Sequence, residues 1–232
     1  VATITGDTDT PSTACKVQAQ IGADHAVAFD INAACSGFLY GLHVADAFFK
    51  SGIYKNALVI GAESLSKIVD WTDRGTCVLF GDGAGAAFLT ASEEGGILSQ
   101  SVGSNGEKWE VLSCPKGGYL QMNGQEVFKF AVRTVPLCVE DALEKAGMKA
   151  DDVDLFLLHQ ANVRILQSVA KRLKQPEEKF PMNMNECGNT SAASLPILMA
   201  QLDEQGRFHR GNKVVLSGFG AGLTWGACVI EW

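Results

Sequence analysis

Two stretches of this chain repeat one pattern, and that duplication constrains the fold more tightly than composition does. In the first stretch the apolar run AVAFDI (Ala26 to Ile31) passes through NAACSG into a helix expected from about Ser36 to Lys50. It continues into NALVIGAES (Asn56 to Ser64) and GDGAGAAFL (Gly81 to Leu89). The second stretch runs from FPMNMN (Phe180 to Asn185) through ECGNTS into a helix expected from about Ser191 to Glu204. NKVVLSGFG (Asn212 to Gly220) and GLTWGACVI (Gly222 to Ile230) follow. Self-similarity over blocks of roughly 50 residues marks a duplicated supersecondary unit, here in two copies rather than a solenoid array. This matching sets Cys35 and Asn189 at equivalent strand-to-helix junctions, so one site built from two halves is expected.

Helical periodicity is plain in FLYGLHVADAFFK, where Leu39, Leu42, Val44, Ala45, Phe48 and Phe49 form a wide apolar face, and in EVFKFAVRTVPLCVEDALEK. The strands ALVIGA and KVVLSGFG are almost continuously apolar, which predicts sheets covered by helices on both faces. A layered α/β fold follows, divided into residues 1–93 and 94–232 as its two halves. The chain opens inside the strand-like run VATITG, whereas the comparable strand VDLFLLHQ follows a long helix and further strand. By symmetry the first half is expected to be incomplete, with about 60–80 residues lying upstream in the native protein.

With 232 residues, 47% of them apolar and 19% charged, the chain can bury a sizeable core. No apolar run approaches the roughly 20 residues that span a bilayer, and no leader precedes a cleavage site, so no membrane partner is expected. Seven cysteines without a C-x-x-C pair indicate neither a zinc ribbon nor a disulfide framework, and a reducing cytoplasm is the expected compartment. No metal is expected. A net charge of −7 argues against a nucleic-acid partner.

Six of the cysteines read as small buried hydrophobes. Cys35 differs, because a helix N-terminus lowers a thiol's pKa and Ala33, Ala34, Ser36 and Gly37 leave room for a substrate. His159 ends the strand DLFLLH, at the edge where open α/β sheets bind ligands. Asn189 begins GNTSAAS, where it is a natural helix cap but also a donor for a substrate oxygen. Spacing alone leaves two chemistries open for these three residues: acyl transfer through a thioester, or a hydrolase triad. The glycine runs 81–85 and 218–222 read as tight turns or as loops that bring N–H groups to a ligand.

Six motifs, taken in order, narrow the choice: DINAACSGF, DRGT (Asp73 to Thr76), LFGDGAGAA (Leu79 to Ala87), LLHQANVRI, NECGNTSAAS and SGFGAGLTWGACVI. Together they closely resemble β-ketoacyl-[acyl-carrier-protein] synthase III along the whole chain. The resemblance implies a thiolase-like fold, a five-layer αβαβα pseudo-dimer with its first half incomplete here, in a cytoplasmic homodimer. It also implies a decarboxylative Claisen condensation of acyl-CoA with malonyl-ACP (ACP, acyl carrier protein), which initiates type II fatty acid synthesis. Cys35 would carry the acyl group, and His159 and Asn189 would hold the malonyl thioester oxygen. Backbone N–H groups of Cys35 and Ala221 would form the oxyanion hole.

The same resemblance assigns Arg74, Gly75, Gly124, Phe128 and Asn162 to coenzyme A, a substrate thioester rather than a bound cofactor, and Thr10, Leu79, Phe80 and Phe219 to the acyl pocket. Carrier protein is acidic, so the basic helix after His159, with Arg164, Lys171, Arg172 and Lys174, is the expected docking face. Cys187 stands where the family shows a bulkier residue, which places a second thiol near the site. Two alternatives stay open at this point: a priming ketosynthase of a polyketide-type pathway, and a non-catalytic acyl-binding fragment. A degradative thiolase would need a second cysteine in the C-terminal glycine loop, and SGFGAGLTW has none.

Overall fold

A computed structural model describes all 232 residues. After an extended start, helix α1 (Thr13–Gln20) is capped by the Ser12 hydroxyl, which accepts from the Cys15 N–H at 3.2 Å. The Asp30 carboxylate accepts from the Thr13 and Ala14 N–H groups at 2.7 and 2.8 Å, so a negative charge meets the positive end of the helix. Helix α2 (Gly37–Lys50) leads to the antiparallel strands β1 (Asn56–Glu63) and β2 (Gly83–Thr90). Next come β3 (Gly96–Ser104), the short pair β4 (Leu112–Ser113) and β5 (Gln121–Met122), and helix α3 (Gly124–Lys145). The remainder is β6 (Leu155–Leu158), α4 (Val163–Leu173), the one-turn α5 (Met184–Cys187), α6 (Ser194–Glu204), β7 (Lys213–Gly220) and β8 (Thr224–Glu231).

The larger sheet has the order β3-β8-β7-β6, with β6 and β7 parallel and the other pairs antiparallel. Alternation along its strands explains the continuous apolar sequence. Leu155, Leu157, Val214, Leu216 and Cys228 face one core with Phe38, Leu39 and Leu42 of α2 and Leu195, Leu198 and Leu202 of α6. Their neighbours Phe156, Leu158, Val215 and Val229 face a second core with Val135, Val139 and Ala142 of α3 and Ile165, Leu166 and Val169 of α4. Because α2 and α6 also pack on β1 and β2, they form a helical layer between the two sheets. Phe156 is fully buried and stacks on Phe180 with ring centroids 4.8 Å apart. Phe156→Ala should therefore cost about 3–5 kcal/mol of stability, read as a lower midpoint in denaturant.

Two expected strands do not form. Ala2 bridges Ile31 on one side and Gly61 on the other, but residues 26–31 make no longer ladder. The run 180–185 is held by side chains instead: the Gln160 Oε1 accepts the Asn183 N–H at 3.0 Å, Gln201 accepts from Asn183 Nδ2 at 2.7 Å, and Pro181 has no N–H to offer.

The duplication itself holds, with a corrected register. Ala34 (φ 44°) and Ser191 (φ 50°) are left-handed residues that each begin a 3-10 turn, Ala34–Ser36 and Ser191–Ala193, leading into α2 and α6. One offset relates Ala34 to Ser191, the start of α2 to the start of α6, and the start of β1 to the start of β7. On that offset Asn189 matches Asn32 and Cys35 matches Ala192. Cys35 and Asn189 are therefore not equivalent positions; they lie three residues apart in the repeat.

Candidate active site

Cys35 sits in the 3-10 turn at the head of α2 and is only 7% exposed. Strand β7 crosses directly above it. A Cβ added at Gly220 would lie 2.7 Å from the Cys35 nitrogen, and one at Gly218 would lie 3.4 Å from both the Cys35 oxygen and His159 Cβ. These two glycines, on one face of the strand, let the nucleophile of one half and the histidine of the other approach the same backbone. Gly220→Ala should accordingly displace Cys35 and slow its acylation while leaving the fold cooperative, measured by adduct formation and by thermal melting.

The His159 N–H is held by the Ser217 carbonyl at 2.7 Å, immediately beyond β6, and its ring is 1% exposed. Nδ1 lies 2.7 Å from the Ser194 hydroxyl, and the ring meets Phe219 edge-on at 5.5 Å. Burial pulls the His159 pKa down from 6.5 to about 3, so the imidazole is neutral at working pH. The tautomer able to donate to a substrate carries its proton on Nε2 and accepts the Ser194 O–H at Nδ1.

Asn189 lies beside Phe80: its N–H donates to Leu79 O at 2.9 Å and its carbonyl accepts from Gly81 N at 3.0 Å. The side-chain Oδ1 accepts the Ser191 N–H at 2.9 Å, an arrangement that leaves the amide Nδ2 as the group free to donate. The 3-10 turn that Ser191 opens packs against the one that carries Cys35. The 3-10 turn and first residue of α6 therefore meet all three candidate residues, by packing on the turn of Cys35, through Ser191 to Asn189 and through Ser194 to His159. Sequence reasoning missed both serines. Their signal was the three-residue spacing in SAAS, which sets two hydroxyls on one side of a helical turn.

Burial pushes the Cys35 thiol up to about 12, against the lowering expected from its place at a helix N-terminus. Desolvation outweighs the backbone N–H groups, so the resting residue is a thiol. Ala221 lies just beyond β7, and its N–H has no acceptor within the chain.

The other expected residues lie around this centre. Arg74 and Gly75 are exposed on a turn in which Asp73 accepts from the Gly75 N–H at 2.9 Å and the Thr76 hydroxyl at 2.7 Å. Gly124 and Phe128 belong to the opening turns of α3, and Asn162 caps α4 by accepting the Arg164 N–H at 2.8 Å. Phe219 belongs to the core beside His159, Phe80 packs against that core next to Asn189, and Leu79 holds the Asn189 N–H. Thr10, in contrast, is exposed on the loop before α1. Arg164, Lys171, Arg172 and Lys174 are exposed, and none of them is in an ion pair. The Cys187 sulfur accepts from Gln201 Nε2 at 3.8 Å. No cluster of three or more His, Cys, Asp or Glu residues is placed to hold a metal ion, and no helix is long and apolar enough to cross a membrane.

Comparison with known proteins adds to this geometry. Residues 29–106 match the family described as 3-oxoacyl-[acyl-carrier-protein (ACP)] synthase III, and residues 143–232 match its C-terminal domain. The chain is 51% identical to the β-ketoacyl-[acyl-carrier-protein] synthase III of Clostridium novyi, over all of this chain and 76% of that protein. The crystal structure of 3-oxoacyl-[acyl-carrier-protein] synthase III from Aquifex aeolicus is similar with a TM-score of 0.98 and 50% identity, covering all of this chain and 75% of the other. The priming β-ketosynthase of the R1128 polyketide biosynthetic pathway is similar with a TM-score of 0.94 and 34% identity, covering 99% of this chain and 73% of the other.

Proposed function

The chain belongs to the 3-oxoacyl-[acyl-carrier-protein] synthase III family, with its thiolase-like fold, and from that premise we propose that it joins an acyl-CoA primer to malonyl-ACP by decarboxylative Claisen condensation. The protein is an acyltransferase that initiates type II fatty acid synthesis. The observation that carries the assignment of residues is the convergence of Cys35, His159 and Asn189 on the 3-10 turn before α6 and on the glycines of β7. Cys35 Sγ attacks the acyl-CoA carbonyl, the acyl–sulfur bond to CoA breaks, and CoA leaves as its thiol with the proton from Cys35. Malonyl-ACP then loses carbon dioxide, and the resulting enolate carbon attacks the acyl-enzyme, breaking its acyl–sulfur bond to release β-ketoacyl-ACP and the Cys35 thiolate, which takes a proton from solvent. His159 Nε2–H and Asn189 Nδ2–H hold the malonyl thioester oxygen as it gains charge, while the N–H groups of Cys35 and Ala221 receive the oxygen of the acyl group.

Arg74, Gly75, Gly124, Phe128 and Asn162 hold coenzyme A in this reading, Leu79, Phe80 and Phe219 wall the acyl chain, and Thr10 reaches a second copy in a cytoplasmic homodimer. Intact mass after incubation with acetyl-CoA and longer acyl-CoAs tests nucleophile, donor and primer together. A protein that takes up no acyl group and releases no carbon dioxide from malonyl-ACP overturns the reading.

Carrier docking is assigned to α4. Arg164→Glu should weaken the ACP-dependent reaction, more so at low salt where exposed charges are least screened. Malonyl-CoA, which has no carrier protein to dock, should be spared. Equal loss with both donors would place Arg164 in the substrate channel instead.

A further inference from the structure

One buried acid is not among the residues assigned to the condensation. Glu63, the last residue of β1, is 5% exposed, and four donors converge on its carboxylate. Oε2 accepts from the Thr5 hydroxyl at 2.6 Å, the Ile4 N–H at 3.1 Å and the Thr3 hydroxyl at 3.2 Å. Oε1 accepts from the Ser191 hydroxyl at 3.1 Å. The direction of the threonine bonds is fixed from outside. Thr3 Oγ1 already accepts the Thr5 N–H at 3.2 Å, and Thr5 Oγ1 accepts the Ser64 N–H at 2.8 Å, so the proton of each hydroxyl is left for Glu63. As a carboxylate Glu63 accepts from all four donors, and these bonds partly offset the burial that pushes its carboxyl above the ordinary range; an amide would turn its N–H₂ either on the donors at Oε2 or on Ser191, whose hydroxyl would then have to turn its proton elsewhere.

The duplication gives the position its meaning. On the offset that carries the start of β1 onto the start of β7, Glu63 stands where Gly220 stands in the other half. Gly220 packs on Cys35, and Glu63 reaches Ser191, whose N–H in turn fixes Asn189 Oδ1 at 2.9 Å. Burial and a carboxylate are thus concentrated behind a left-handed residue whose N–H orients the asparagine.

We propose that Glu63 is a positioning residue for decarboxylation: its carboxylate clamps the Ser191 hydroxyl, and Ser191 thereby holds the Asn189 carboxamide with Nδ2 turned toward the malonyl oxygen. The inference rests on the condensation assigned above. Loss of a hydrogen bond to a buried charge predicts that Glu63→Gln slows carbon dioxide release from malonyl-ACP roughly 10- to 100-fold and slows Cys35 acylation much less. Ser191→Ala should reproduce that split without introducing an amide, and so serves if Glu63→Gln folds poorly. In an Asn189→Ala background, Glu63→Gln should cost almost nothing further, because the group it positions is gone. A purely structural Glu63 would give the same fold loss with and without Asn189, and would slow acylation and decarboxylation alike; either result overturns the proposal.

A readout that needs no turnover separates this from the reaction itself. In a 15N spectrum the Asn189 side-chain amide pair, identified by its disappearance in Asn189→Ala, should be sharp in the unsubstituted protein and broadened in Glu63→Gln. An unchanged pair in Glu63→Gln refutes the clamp even if condensation is intact. A broadened pair in a protein that neither acylates nor decarboxylates supports the clamp and refutes the reaction.

Discussion

Cys35→Ala should abolish the acyl adduct outright, whichever acyl-CoA is offered. Of the seven thiols, only Cys35 lies at the head of a helix against the glycine face of β7. Cys138 is occupied by the Ser101 carbonyl at 3.4 Å and burial pushes it up to about 11; Cys228 is buried in the inner core, and its thiol is raised as well. Cys15 and Cys114 are exposed, so the adduct must be located by peptide mass rather than by stoichiometry. Persistence of the adduct in Cys35→Ala, or its appearance on Cys187, would reject the nucleophile. The raised Cys35 pKa adds a pH signature. A thiol that ionises near 12 gains thiolate tenfold for each pH step below that value. Alkylation of Cys35 by iodoacetamide should therefore climb from about pH 6 to about pH 9 with no plateau, whereas a plateau near neutrality would show that the helix N-terminus wins over burial.

His159→Ala and Asn189→Ala should each slow carbon dioxide release from malonyl-ACP by roughly 10²- to 10³-fold, the usual cost of removing one donor to a developing oxyanion. Acylation of Cys35 should be far less affected, because neither side chain is assigned to that step. The low pKa of His159 sets the pH behaviour. Its folded value of about 3 lies below the ordinary 6.5, so the charged form exists only in strong acid and the donor ring is uniformly neutral above it. Decarboxylation should show no acid limb near 6.5 that disappears in His159→Gln. Such a limb would mean that the imidazolium is the working species. Equal loss of acylation and decarboxylation in both alanine variants would reduce the two residues to scaffolding.

Strands β1, β7 and β8 and helices α2, α3 and α4 could be read from the letters, because each is long enough for its period to rise above local noise. The run 26–31 misled, since apolar alternation reports a surface that can pair and not the length of the partner, which here is a single bridge on Ala2. The run 180–185 misled for the opposite reason: the side chain of Gln160, distant in sequence, takes the Asn183 N–H and the Pro181 carbonyl, and Gln201 holds the Asn183 side chain. Cys35, His159 and Asn189 stood out because each sits at a junction between elements. Ser191, Ser194 and Glu63 did not, because a serine among alanines and a glutamate at a strand end look solvated until a partner in the other half is known. The three-residue error in matching Cys35 to Asn189 came from setting NAACSG on ECGNTS letter for letter; the left-handed Ala34 and Ser191 give the register, and φ is not written in composition.

The ties that close the site also set the order in which it can come into being. The Thr224 hydroxyl donates to Ala33 O at 3.2 Å across 191 residues of chain, β3 pairs along its length with the C-terminal β8, and Phe80 bridges Asn189. During synthesis the segment carrying Cys35 leaves the ribosome long before β7 and β8 exist to cover it. Contacts of such span form late, after local helices and hairpins. Reactive chemistry is thereby withheld from the nascent chain, and in refolding from denaturant the capacity to accept an acyl group should return after helical circular dichroism has recovered.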